Sequence, residues 1–344
     1  MEGTGLEFGG VFTTLQVFNL VVSKLLKHEG VRMGVKGGEA EKYPHSLQHS
    51  HWQALNGISL AFTGSVKVAQ HVQKALENTQ QHRQMMSVLV SKLKALESGE
   101  VLIVPHAISG NPILFVIEKT GEDTANFTVV NTNPELLHFH PASGQPPKIK
   151  YQTCLVLENV ALARIKDEAF WGMAFWVAVQ AENPALTMQP VSVVYKILLP
   201  FLQGKSWEEI HHDQTRLAAA SAEPDAQMRS PQRSETAHLR CLIEAFQYLM
   251  RRRGLDKAAR KEVSLMLRLE MLELVMHDLM FVQQLSSAER TLLHIACRQV
   301  SYSTAKLGQM RRSDGSDVLS LTQVKAQIRK STMYSGFISN IPGH

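Results

Sequence analysis

One segment of the chain has the spacing of a nucleophile site in a cysteine hydrolase. Gln232 stands five residues before Ala237, where an apolar helical pattern begins. The N-terminus of a helix suits a thiolate, because its unpaired N–H groups and the helix dipole stabilise negative charge. The side chain of Ala237 is a methyl group, however, and cannot act as a nucleophile. The sequence therefore leaves open whether this protein is an enzyme.

A β-hairpin predicted upstream could supply two further groups of such a site. A cysteine hydrolase needs an imidazole to transfer the proton, a group that orients the imidazole, and a donor for the oxyanion. In a hairpin, the start of one strand lies beside the end of its antiparallel partner. The strand-like runs 113–119 and 126–131 flank a polar turn and predict a hairpin. Asn131 ends the second run and has the residue type of an orienter.

Several short motifs occur in the same order as in a known family. The chain resembles the papain-like cysteine peptidases, and in particular the ubiquitinyl-hydrolase-like, or deubiquitinase-like, domain of very large uncharacterised proteins. The resemblance covers roughly residues 85–305. It is carried by Asn131-Thr132, the run 148–154 (Lys-Ile-Lys-Tyr-Gln-Thr-Cys), Ala169-Phe170-Trp171, the run 231–234 (Pro-Gln-Arg-Ser) and the run 244–249 (Glu-Ala-Phe-Gln-Tyr-Leu).

The resemblance implies that the two reacting groups have been replaced. In the family pattern, Ser-Gly-His-Ala leads into the first hairpin strand and Ser-Gly-Thr-Cys opens the nucleophile helix. The matching positions place Asn111 where the base belongs and Ala237 where the nucleophile belongs. Asn131 and Gln232 keep the orienter and oxyanion positions. An amide cannot shuttle protons near neutral pH and a methyl group cannot attack a carbonyl, so we expect a catalytically degenerate site.

Three other residues offer an alternative set of reacting groups. His106 would be the base if the loop were realigned by five residues. Cys241 lies one helical turn after Ala237 on the same predicted face, and Cys154 lies in a strand-like run. Either thiol could then be the nucleophile of an active thiol-dependent ubiquitinyl hydrolase. Both cysteines are also typical of small core residues.

The elements that must position these residues are predicted from hydrophobic periodicity. Residues 149–157 predict a further strand, and residues 159–181 predict a buried helix that carries Trp171 and Trp176. The apolar run 191–202 fits a strand or a short helix.

The whole pattern predicts an α+β fold, with N-terminal helices, a small antiparallel sheet and a C-terminal three-helix segment. The resemblance implies that this fold is papain-like. We expect five regions: mostly helical residues 1–97, a hairpin and sheet region with a buried helix at 98–203, a flexible linker at 204–230, a helical region at 231–305 that opens with the nucleophile-like helix, and a weakly ordered tail at 306–344.

The composition of the chain indicates which kinds of partner and which cellular compartment to expect. The chain has 344 residues, is 44% hydrophobic and carries a net charge of +5, which describes a globular protein that can accept an acidic partner. The basic run 251–253 lacks interleaved aromatic residues, so nucleic-acid binding is not expected. Three widely spaced cysteines fit a reducing compartment, and the most apolar stretch, 169–179, is too short to span a bilayer. We expect an intracellular protein, cytoplasmic rather than nuclear, without a membrane span.

The 15 histidines show none of the spacings typical of a zinc site, such as HExxH. We therefore expect no metal and no cofactor, and we expect clustered histidines such as His138 and His140 to be solvated or in loops.

Three functions are compatible with these features. The leading hypothesis is a catalytically degenerate, deubiquitinase-like domain that binds a protein partner such as ubiquitin. The first alternative is an active hydrolase that uses His106 with Cys241 or Cys154. The second is a non-enzymatic scaffold module or a fragment of a larger protein.

Overall fold

The computed structural model describes residues 4–32, 47–133, 136–144, 148–180, 185–220, 228–230 and 237–279, together with Ser286, Ser287 and Thr291. The fold is α+β, as the sequence predicts. The chain divides into two compact units, one comprising Met1–Asn19 and Gly57–Leu249 and the other Leu20–Asn56 and Met250–His344.

Helices occupy both ends of the described sequence and also follow the sheet strands. A short 3-10 turn, Thr79–Gln81, precedes the third helix, and a π-helical turn, Val194–Leu198, separates the sixth from the seventh. The α-helices are α1 (Thr4–Arg32), α2 (His49–Glu77), α3 (His82–Ala95), α4 (Leu162–Ile165), α5 (Glu168–Val179), α6 (Pro190–Val193), α7 (Leu199–Gln203), α8 (Trp207–Ala220), α9 (Ala237–Arg252) and α10 (Lys257–Leu279).

The strands form two antiparallel sheets. The main sheet has four strands in the order β1-β2-β3-β6, and the second has three in the order β4-β5-β7. The strands are β1 (Val101–Ile108), β2 (Asn111–Lys119), β3 (Thr124–Val130), β4 (Ala142–Ser143), β5 (Lys150–Gln152), β6 (Cys154–Ala161) and β7 (Met228–Arg229).

The predicted hairpin is confirmed as β2 and β3, with Phe115 opposite Val129. The run 149–157 differs from the prediction, because it divides at Thr153 between β5 of the small sheet and β6 of the main sheet. The run 191–202 is helical.

An aromatic core lies between the main sheet and α5. The ring of Phe115 lies 5.1 Å from that of Phe127 and 6.1 Å from that of Trp171. The indole Nε1 of Trp171 donates to the carbonyl of Ile165 at 2.7 Å, which satisfies its one polar atom. Trp171 is fully buried, but Trp176 on the opposite face of α5 is 38% exposed. The expectation of a buried helix carrying both tryptophans is therefore wrong for Trp176.

The linker predicted at 204–230 is wrong for residues 207–220, which form α8. Ser206 and Glu209 make a reciprocal capping box at its start, with the Ser206 N–H donating to the Glu209 carboxylate at 2.8 Å. Burial of Ile210 and Gln214 gives this polar helix its inward face. Of the predicted C-terminal three-helix segment, α9 and α10 are the first two helices. The third helix lies almost wholly outside the described residues, and the predicted tail at 306–344 lies entirely outside them.

Polar side chains from two helices form hydrogen bonds with backbone groups on both edge strands of the main sheet. At the β1 edge, the N–H of Ile103 donates to Ser65 Oγ of α2 at 3.2 Å. At the β6 edge, the N–H of Val156 donates to Gln214 Oε1 of α8 at 3.2 Å, and Gln214 Nε2 donates back to the Val156 carbonyl. The glutamine amide thus makes the pair of bonds that a neighbouring strand would make. Unpaired strand edges invite association with other chains, and these contacts block it at both positions.

Gln214→Leu should lower the free energy of unfolding by about 1–3 kcal/mol, because it removes both partners of Val156 while keeping the side-chain volume similar. Urea unfolding followed by circular dichroism measures the change. Gln84→Leu, at an exposed position of α3, is the matched control and should stay within about 0.5 kcal/mol of the natural protein. Equal stabilities for the two variants would contradict this role of Gln214.

Candidate functional site

The end of β3 and the first turn of α9 meet at one corner of the main sheet. Thr132, two residues beyond β3, donates from Oγ1 to the carbonyl of Ala237 at 3.3 Å. The same Oγ1 lies 3.3 Å from the Sγ of Cys241, one turn further along α9. The structure therefore places the candidate nucleophile positions Ala237 and Cys241 against the segment that contains Asn131.

The start of β2 reaches the same corner. Ser109 and Gly110 form the two-residue turn between β1 and β2, with φ values of 49° and 82°, as a type I′ hairpin turn requires. This turn makes Asn111 the first residue of β2. The side-chain oxygen of Asn111 accepts a hydrogen bond from Asn133 Nδ2, and Cys241 Sγ donates to the carbonyl of Pro112 at 3.6 Å. Asn111 and Ala237 thus each contact the segment 131–133.

The amide of Asn131 is committed to two hydrogen bonds within the protein. Its Oδ1 accepts from the N–H of Asn133 at 2.9 Å, and its Nδ2 donates to the hydroxyl of Tyr195 at 3.2 Å. The backbone N–H of Asn131 donates to the carbonyl of Thr153 at 2.9 Å. Asn131 is fully buried. The group with the residue type of an orienter is therefore held in one position.

A buried histidine that the sequence does not point to completes this network. His140 Nδ1 lies 2.7 Å from the carbonyl of Gln152, and Nε2 lies 2.8 Å from the hydroxyl of Tyr195. A carbonyl only accepts, so we assign the ring proton to Nδ1. Nε2 then accepts from Tyr195, whose hydroxyl in turn accepts from Asn131. His140 lies in the loop between the 3-10 turn Leu137–Phe139 and β4, as expected, but it is 1% exposed and therefore not solvated.

Burial keeps both partners in this pair neutral. It lowers the pKa of His140 to about 4, although the bond to Gln152 acts in the opposite direction. It also raises the pKa of Tyr195 above its usual value. Tyr195 is positioned by the π-helical turn Val194–Leu198, a rare backbone geometry that is frequent at functional sites. His140 and Tyr195 are far apart in sequence, so no local motif could have identified them.

The two described cysteines lie in the core. Cys241 is 1% exposed, and burial raises the pKa of its thiol to about 11, against a smaller lowering by Thr132. The thiol is therefore protonated near neutral pH, whereas the thiolate is the nucleophile. Cys154 is also 1% exposed and lies on β6 opposite Val130.

The alternative base, His106, occupies an aromatic pocket on β1. Its ring stacks on Phe115 at 4.7 Å and meets the edge of Phe175 at 5.7 Å. Burial lowers its pKa to about 3, and the Ala174 carbonyl offsets only part of this. Among the described residues, no group makes a hydrogen bond of acceptable geometry to either ring nitrogen of His106. This includes the carbonyl of Ala174. His106 is thus a neutral core residue.

An ion pair fixes the chain just before the candidate nucleophile helix. Glu244 of α9 is 5% exposed, and one carboxylate oxygen accepts from Arg229 Nε of β7 at 2.9 Å. The other oxygen accepts from Thr153 Oγ1 at 3.2 Å. Gln232, the predicted oxyanion residue, belongs to 231–236 and lies outside the described residues.

The chain matches no known family in two comparisons: a scan against protein-family models and a search of curated proteins both return no match. Within the described ranges, every helix is too short or too polar to cross a bilayer. Those ranges also contain no group of three or more His, Cys, Asp or Glu residues that could hold a metal ion. Function is therefore inferred from the corner itself.

Tyr195→Phe should lower the free energy of unfolding by about 2–4 kcal/mol. The change leaves the Asn131 amide and the His140 ring nitrogen buried without their partner, at about 1–3 kcal/mol for each unsatisfied group. Denaturant unfolding measures the difference. Tyr151→Phe removes a hydroxyl from a half-buried tyrosine of β5 and is the matched control, with little change expected. A Tyr195→Phe variant as stable as this control would contradict the network.

His106→Leu should raise the free energy of unfolding by about 1 kcal/mol at pH 7, because it replaces an unpartnered buried imidazole by an apolar group of similar size. The gain should grow to about 3 kcal/mol at pH 5. The folded-state pKa of His106 is about 3 against 6.5 for the free side chain. Below pH 6.5 the unfolded chain therefore binds a proton at His106 that the folded chain does not bind. The natural protein consequently loses stability as the pH is lowered. Urea unfolding at the two pH values measures both effects, and a loss of stability at pH 7 would contradict the assignment.

Proposed function

We propose that this chain is a catalytically degenerate, papain-like domain of the deubiquitinase-like kind, which binds ubiquitin or another protein without cleaving it. The proposal depends on one observation. The end of β3, the start of β2 and the N-terminus of α9 converge, as a cysteine peptidase site requires, and the converging positions hold Asn111 and Ala237. Neither residue can perform the step that its place in such a site demands.

The chemistry of the nearby thiol and imidazole groups supports loss of catalysis. Cys241 is a protonated core thiol that contacts Thr132 and the carbonyl of Pro112. His106 stacks within an aromatic pocket at a distance from solvent. The alternative, an active hydrolase that uses His106 with Cys241 or Cys154, would need each of these buried groups to reach a substrate. The degenerate site is the better account.

The position of Asn131 gives further support. In an active site of this kind, the orienter hydrogen-bonds to the catalytic imidazole. Here the Asn131 amide bonds instead to Tyr195 and to the backbone of Asn133. Hydrogen bonds that could have oriented a mobile imidazole now hold the corner rigid. A surface that recognises a protein needs such a scaffold but no nucleophile, so binding can persist where catalysis is lost.

A ubiquitin probe with a thiol-reactive C-terminus tests the proposal on the full chain. We expect no covalent adduct with the natural protein, with Cys241→Ala or with Cys154→Ala, under conditions in which an active deubiquitinase is fully labelled. We also expect chemical-shift changes in labelled ubiquitin when the chain is added, with a dissociation constant on the order of 10–100 µM, as for transient interfaces.

Two outcomes would overturn parts of this proposal. An adduct that is lost in Cys241→Ala or Cys154→Ala would identify that thiol as a nucleophile and establish the active hydrolase. Absence of both adduct and shift changes would remove ubiquitin as the partner and favour a scaffold module.

A further inference from the structure

Helix α5 is apolar on its exposed face as well as on its buried face. Met173, Trp176 and Val179 are 44%, 38% and 44% exposed. Ala169 and Gly172 lie on the same face and are also exposed. Positions three and four apart share one side of a helix, so these residues form a continuous stripe, which we call the α5 stripe. A solvated helix normally carries charged residues on such a face.

Neighbouring residues widen the stripe. Phe201 of α7 is 41% exposed, and its ring stacks on that of Phe170, one turn before Met173, with 6.4 Å between centroids. Ile197, four residues before Phe201, is 43% exposed. Phe201 and Ile197 thus add exposed apolar side chains on the following helical segment, which contacts α5 through the buried ring of Phe170.

We propose that the α5 stripe binds a second copy of this chain, through antiparallel packing of two α5 helices about a two-fold axis that crosses the exposed face at the level of the buried Ala174. In such a pair, residues equally distant from the axis face each other. Gly172 of one copy then faces Trp176 of the other, and Ala169 faces Val179. Trp176 and Val179 thus each meet a small residue, while Met173 lies beside the axis, so the stripe is complementary to itself at these two pairs.

The local geometry leaves room for this fit. Among the residues that the structure describes, no atom outside the helix lies within 4 Å of the place where a Cβ on Gly172 would stand. The indole of Trp176 from a second copy could enter that notch. Glu168, the charged residue of α5, would face Gln180, so within the described helix this carboxylate meets no like charge.

The amount of apolar surface approaches what a dimer requires. Met173, Trp176, Val179, Ile197 and Phe201 are 38–44% exposed. At roughly 200 Å² for each large side chain, they present about 400 Å² of apolar area. A standard interface takes about 800 Å² from each partner, of which about 65% is apolar in a homodimer. One copy therefore supplies about three-quarters of the apolar area on one side of such an interface.

Sedimentation velocity on the full chain, over about a hundredfold range of concentration, tests the proposal. We expect a monomer–dimer equilibrium that Trp176→Glu and Gly172→Leu each weaken by about tenfold or more. Gly172→Leu is the sharper variant, because leucine is the better helix former and fills the notch without adding charge. Leu217→Glu, at a 47% exposed position of α8, is the matched control and should dimerise normally.

A chain that stays monomeric throughout would overturn the proposal. A dimer that Gly172→Leu leaves unchanged would equally overturn it, since another surface would then hold the copies together. Circular dichroism of each variant shows whether the fold is intact. None of these substitutions touches the corner at Asn131, so failure of this proposal and failure of the proposed function are distinguishable.

Discussion

The hydroxyl of Tyr195 joins three separate segments of the first unit. It donates to His140, whose other ring nitrogen bonds to Gln152 of the small sheet, and it accepts from Asn131 at the end of the main sheet. All of these groups are buried, so each must find a partner inside the protein or cost free energy. The π-helical turn places Tyr195 where it satisfies both neighbours. The small sheet, the end of β3 and the helical segment after residue 190 are thus linked through one oxygen atom.

The same constraint limits the chemistry of the corner. A catalytic imidazole must move between donor and acceptor roles and must reach solvent or substrate. His140 is fixed in one tautomer by a carbonyl on one side and a phenol on the other, and burial keeps it neutral. Fully satisfied polar networks give rigidity and a defined geometry. Under the proposed function, polar residues that could support catalysis contribute instead to the shape of a binding scaffold.

Local patterns in the sequence predicted the local parts of this structure. Strand periodicity around a polar turn is enough to define the β2–β3 hairpin, and an amphipathic pattern is enough to define α9. Helix α8 escaped notice because its composition is polar, although Ser206 and Glu209 carried a capping-box signal. The residues that contact His140 and His106 could not be predicted from the sequence. Whether a histidine contacts a tyrosine 55 positions away or two phenylalanines depends on how the elements pack, and burial then sets its pKa.

The glutamine that closes the β6 edge has a consequence for recognition. Many domains bind extended peptides by accepting them as an additional strand, which requires free backbone groups along a sheet edge. Gln214 occupies both backbone groups of Val156, Gln203 Nε2 donates to the carbonyl of Glu158, and Ser65 occupies the N–H of Ile103 on the opposite edge. Main-chain zippering onto the main sheet is therefore obstructed at these positions. Under the proposed function, a partner at these positions would contact side chains rather than the strand backbone.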